Sequence, residues 1–160
     1  MKKKIIKWGI GLVLVGSVVG ASVALYLFNM PHRDVQAAAV DYKIESKFLV
    51  QEYLQDVKAA NNKYLQEEGD SKILVVSGTI HSTSMDMNNQ KVILLKEKGE
   101  MAGVSCTFMH STNANALKLK IGERVTIKGV IRSGAGYDED LELYEDVILE
   151  KCDVFHESKI

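Results

Sequence analysis

The sequence predicts a small closed β-barrel of five strands, preceded by one amphipathic helix and tethered to a membrane by an N-terminal apolar span. Three observations predict it: an uncharged run near the N-terminus, a helical periodicity soon after, and a two-residue alternation from Lys72 onward. The 160 residues suit one domain, and 26% charged with 46% apolar content excludes a disordered or collagen-like chain. The formal net charge of −1 conceals an asymmetry. Lys2, Lys3, Lys4 and Lys7 are the only charges before His32, so residues 32–160 hold 16 basic and 21 acidic side chains, net −5.

After the basic tail 1–7, residues 8–28 (Trp8 to Phe28) carry no charge. As a helix these 21 residues would span about 31 Å, the thickness of a bilayer's hydrocarbon core. Trp8 and Tyr26 would sit at its two interfaces, and the four lysines place the N-terminus in the cytoplasm. The expectation is a single-pass membrane protein whose C-terminal domain is extracytoplasmic, periplasmic in a Gram-negative cell. A cleaved signal is the rival reading, with Ala37-Ala38-Ala39 as a small-residue site, but the apolar run is longer than a usual signal core. No cysteine follows the run to carry an acyl anchor. Gly16, Gly20 and Ala24 recur every four residues, a stripe suited to helix packing and a homodimer through the membrane helix.

Pro31 ends that helix, and residues 29–40 read as a linker. Residues 41–66 read as an amphipathic helical segment. Ile44, Phe48, Tyr53, Val57 and Ala60 form its apolar stripe, Ser46 is its N-cap, and Asn61-Asn62 a stop. The barrel is expected over 72–154 and a tail over 155–160. Its strands are Ile73–Ile80, bent at Gly78, then Val92–Leu95, Gly103–Met109, Arg124–Arg132 and Leu141–Leu149. A longer connection, His110 to Gly122, separates the third strand from the fourth, and Gly129 suits the curvature of the fourth. This order fits a five-stranded Greek-key barrel of the OB type.

Particular stretches resemble a known family. They are Ala59 to Leu65 leading into Val75-Val76-Ser77-Gly78-Thr79-Ile80, then Gly103 to Phe108, Leu119 to Gly129 and Asp146 to Cys152. Together they resemble the tRNA_anti-like OB-fold family of exported bacterial proteins, with Lys120 to Gly129 as the most specific part. The resemblance implies an OB fold, and the family's name implies nucleic-acid binding. It carries no agreed set of functional residues.

Chemistry-bearing residues are few. Cys106 in the third strand and Cys152 after the fifth fall on neighbouring strands of an OB barrel, a disulfide candidate in an oxidising compartment, with two buried free thiols as the alternative. His32, His81, His110 and His156 lack ligand spacing, and the acidic run Asp138 to Asp146 lacks a calcium-loop pattern, so no metal and no cofactor is expected. No nucleophile elbow, phosphate loop or zinc-protease motif occurs, which argues against an enzyme. OB barrels bind on the face of strands two and three and its flanking loops. The ligand-binding candidates are therefore Lys91, Ile93, Lys96, Tyr137 and Asp138. Phe108 is a second aromatic there, with the core as its better place. The leading expectation is a non-catalytic, membrane-anchored binding module for an unidentified envelope ligand or protein. A single-stranded oligonucleotide binder is the runner-up, disfavoured by the net charge of −5. A structural subunit of an envelope complex is the third reading.

Overall fold

A computed structural model describes residues 16–26, 33–66 and 71–156. The chain divides into two units, Met1–Arg33 and Asp34–Ile160. In the first, residues 16–26 form helix α1, with Gly16, Gly20 and Ala24 exposed on it. Residues 8–15 and 27–28 of the expected span lie outside the described residues. Among the described residues no helix is long and apolar enough to cross a membrane.

The second unit runs β1 (Tyr42–Glu45), α2 (Ser46–Gln55), α3 (Val57–Tyr64), β2 (Ile73–Met85), β3 (Lys91–Leu95), β4 (Val104–Phe108), α4 (Asn113–Ala116), β5 (Arg124–Ser133), β6 (Gly136–Asp138), β7 (Leu143–Glu145) and β8 (Val147–Val154). Its sheet has the order β1-β2-β3-β4-β8-β5, and β5 pairs back onto β2. That return closes β2, β3, β4, β8 and β5 into a five-stranded OB-like barrel. Only β4–β8 is a parallel contact within the ring. The thirteen-residue β2 makes closure possible: Ile73–Thr79 pairs with β5 and Ile80–Met85 with β3. A register shift between Ile80 and Ser82 turns it from one partner to the other.

Alternation fills the barrel. Ile93 and Leu95 of β3, and Val104, Cys106 and Phe108 of β4, are buried inward, while Ser105 and Thr107 point out. A second small core lies outside, where Val35 and Ala38 cover Ile73 and Val130. There the turn at Asp34–Ala38, expected to be linker, is fastened to the wall. Lys128, 6% exposed, donates from Nζ to the carbonyls of Gln36 (2.8 Å) and Ala38 (2.7 Å). Gln36 Nε2 donates in return to the carbonyls of Lys128 and Lys151.

Several expectations need correction. Tyr42–Glu45 is not the start of a helix but a strand parallel to β2, because β2 offers it an unpaired backbone edge, a non-local partner. The helical segment breaks at Asp56, whose backbone is extended. Its N–H donates to the Glu52 carbonyl, ending α2, and its side chain accepts from Ala59 N, starting α3. Asn61 and Asn62 therefore continue a helix. Glu45, not Ser46, holds the N-cap position of α2, and buried Ser46 packs against Gly78. Gly78 thus makes room for a helix start, and the bend falls at Ile80/Ser82. Phe48 and Val57 are about half exposed, and the buried stripe runs instead through Leu49, Val50, Tyr53, Ala60 and Tyr64. The register shift beside Gly129 lies where curvature was expected. The fifth barrel strand is Val147–Val154, later than Leu141–Leu149, and the first part of that run forms a separate ribbon.

Candidate functional site

The outer face of β3 and β4 presents Val92, Leu94, Ser105 and Thr107, continued onto β8 by Ile148 opposite Ser105. It is a short apolar and hydroxyl surface without an aromatic or a basic side chain on β4. Two connections frame it. At one end the Asp86–Gln90 turn is held by Asp86 Oδ1, which accepts from Asn88 N and Gln90 N. Asn113 of α4 ties that turn down, donating to the Asn89 carbonyl and accepting from Lys91 N. At the other end stands the β6–β7 hairpin. Asp146 fixes its exit by accepting from Gly103 N at 2.6 Å, at the entry to β4.

The sequence candidates fall into two places. Lys91 opens β3 and Lys96 follows its end, so the strand's rise separates them by about 17 Å. They form no common basic cluster, and Lys96 Nζ is engaged with the Met101 carbonyl. Ile93 is 0% exposed and belongs to the core, not to a binding face. It shares the inward parity of Leu95, and a one-residue choice of parity decides the side. Phe108 is likewise buried. Tyr137 and Asp138 are on the hairpin. Asp138 Oδ1 accepts from Asp140 N and Leu141 N, shaping its tip.

The hairpin gathers what the candidates had not: Tyr144 pairs directly across from Tyr137, with ring centroids 4.9 Å apart and the planes tilted by 54°. Both rings are exposed, as are Leu141 and Leu143. The sequence signal was there, in two tyrosines flanking the turn-rich Asp138–Glu142. Reading 141–149 as one strand concealed it. The hairpin's base is set by α2. Tyr53, fully buried, lies flat against Gly134, where any Cβ would fall within the ring. Ala135 beside it is 2% exposed.

Tyr53 also belongs to an aromatic and charged cluster between α2 and α3. Its ring stacks on Tyr64 at 6.0 Å, and Tyr64 meets Tyr42 edge-on at 5.4 Å. Burial, with Tyr64 and Glu52 nearby, pushes the Tyr53 hydroxyl up to about 12. Tyr64 Oη donates to Glu52 at 2.9 Å, and Lys63 Nζ lies 2.8 Å from the same carboxylate. Burial opposes ionisation of Glu52, but the hydrogen bonds from Lys63 and Tyr64 prevail and lower its pKa. The Glu52 contact raises that of Lys63. A shallow groove of about 430 Å³ runs beside α2, lined by Phe48, Leu54 and Met101 with Lys47 and Glu100 among its polar residues.

Cys106 and Cys152 are free, fully buried thiols in one core cluster. Their strands are adjacent, but the register sets Cys106 opposite Leu149 and Cys152 opposite Phe108. The two are thus offset by register along the strands, yet their side chains come within hydrogen-bonding reach of each other. Burial, then the hydrogen bond with Cys106, raises the Cys152 pKa well above the ordinary thiol value. His81, His110 and His156 are dispersed and exposed. Among the described residues no three His, Cys, Asp or Glu side chains are placed to hold a metal ion.

A structure of similar fold is known for a "putative nucleic acid-binding lipoprotein" from Klebsiella pneumoniae subsp. pneumoniae MGH 78578. The similarity covers 79% of this chain and 100% of that one, with a TM-score of 0.52 and 16% identity, and it is a likeness of fold. Comparison with curated proteins gives no match. The tRNA_anti-like family model matches residues 1–143, most of the length and including β1 to β6. The chain therefore belongs to the tRNA_anti-like family, whose OB-type barrel is the one described above.

Proposed function

We propose that this protein is a non-catalytic binding module, anchored by its N-terminal apolar run and displaying the barrel outside the cytoplasm. Its contact surface is the β6–β7 hairpin together with the adjoining outer face of β3, β4 and β8. The exposed Tyr137–Tyr144 pair on a preformed ribbon carries this reading. Exposed aromatic side chains held on a fixed base are what binding surfaces use, because little ordering remains to be done when a partner arrives. The anchor rests on the length of the uncharged run and the lysines before it.

Oligonucleotide binding is a second reading, supported by the family's name and by the description of the Klebsiella protein. The surface favours it less. A single-stranded nucleic-acid groove combines basic residues with stacking platforms, whereas the aromatic pair here sits beside carboxylates and the two candidate lysines lie at opposite ends of β3.

The test uses a photoreactive amino acid at position 144, with position 58 on the exposed side of α3 as control. Adducts in intact cells at 144 and not at 58 are expected. Equal labelling at both sites removes the assigned surface. A reporter fused after Ile160 that is active only in the cytoplasm removes the anchor and its orientation.

A further inference from the structure

We infer that the β6–β7 hairpin docks a cationic, arginine-containing polypeptide segment, an assignment that rests on the binding-module reading and names the partner's chemistry. The ribbon's outer edges are unpaired: β6 and β7 pair with each other and with no other described strand. On one side the Tyr137 and Tyr144 rings lie together, directly cross-strand and exposed. Between positions 133 and 149 the chain has six carboxylates and no basic residue. Asp138 and Asp146 are engaged in shaping the hairpin and its exit. Glu139, Asp140, Glu142 and Glu145 are exposed, and none is in an ion pair with a described residue.

Charge complementarity decides the occupant. A phosphate backbone entering this site would meet uncompensated like charge. A guanidinium meets two attractions at once: the negative faces of the tyrosine rings and carboxylates that accept its planar donors. Glu139, Asp140 and Glu142 lie in the turn that joins the two tyrosine-bearing strands, so the carboxylates and the rings belong to one short ribbon. The backbone edges of β6 and β7 also suit an extended segment, which would add main-chain hydrogen bonds. The ribbon is already folded, with Gly134 under Tyr53 and Asp146 on Gly103, so little ordering accompanies docking.

The test uses the full chain in a neutral detergent and a fluorescein-labelled peptide of alternating glycine and arginine, followed by anisotropy. Saturable binding is expected, weakening as salt rises. Tyr137→Leu with Tyr144→Leu, which keeps apolar area but removes the ring faces, should weaken it about tenfold. Glu139→Gln with Glu142→Gln should weaken it by a similar factor and flatten the salt dependence. An unchanged melting temperature in each variant shows that the ribbon's loss of affinity is not unfolding. If affinity survives loss of both tyrosines, the attraction is diffuse charge and the inference fails. It fails equally if a fifteen-residue oligothymidine binds and is lost on the same substitutions, or if the peptide does not bind. Failure with the peptide while adducts still form at position 144 discards the cationic partner alone. Failure of both discards the binding surface itself.

Discussion

Replacing Gly134 by alanine probes how the helix pair positions the hairpin. The added methyl would occupy the space of the Tyr53 ring, a fully buried side chain with Tyr64 stacked behind it. Neither ring has open space to retreat into, so the hairpin base must move away from α2. Overpacking of this kind costs about 1–3 kcal/mol. For a folded unit of this size that lowers the melting temperature by about 3–12 °C. Calorimetry on the full chain measures it, and hydrogen exchange locates it. Amides in 134–146 should lose protection while the β2–β5 pairing keeps its own. Tyr53→Leu combined with Gly134→Ala should recover part of the loss, since leucine leaves room for the methyl. An unchanged melting temperature and unchanged exchange in Gly134→Ala would refute the idea that this ring seats the hairpin.

Two other outcomes follow from the described contacts. Lys128→Met keeps the side-chain stem but removes two charge-assisted hydrogen bonds to Gln36 and Ala38. It should cost about 2 kcal/mol, part of the loss being returned by the desolvation the ammonium no longer suffers, and limited proteolysis should then cut within 34–40. Glu52 has a lowered pKa, so its contribution is present above the ordinary carboxylate value near 4.5 and is lost as pH falls through the folded-state value. Lys63 has a raised one, so its share is complete below about 10.5 and is lost as pH rises beyond. Both side chains are more than a third exposed, which limits the pair to about 1 kcal/mol. Melting curves between pH 3 and 6 should show a shallower acid slope for Glu52→Gln than for the unaltered chain.

The barrel strands were readable because Ile73–Ile80, Arg124–Arg132 and their like alternate and are rich in β-branched residues, a purely local signal. What escaped was set by distant parts of the chain. Tyr42–Glu45 becomes a strand because β2 lies beside it, and no short window of sequence contains that fact. Asp56 interrupts a continuous helical periodicity through one backbone rotation, and an aspartate on a polar face looks the same whether or not the helix breaks. Ile93, a binding candidate by its place in the second barrel strand, belongs to the core because its alternation with Leu95 gives both the inward parity. Leu141 and Leu143 have a strand's alternation without a strand's burial, which hid the hairpin and left Tyr144 unnoticed beside Tyr137. The cysteines were rightly given neighbouring strands, but their offset follows from a register that includes an irregularity between Cys106 and Phe108.

The clasp between Lys128 and the Gln36–Ala38 carbonyls has a mechanical corollary. Tension drawn on the chain upstream of Asp34 reaches the ammonium and the staves β5 and β8 before it reaches β1 or the helix pair. The barrel is thus loaded across its side, where many ladder bonds share the strain, and its N-terminal strand cannot be peeled away until that rivet gives.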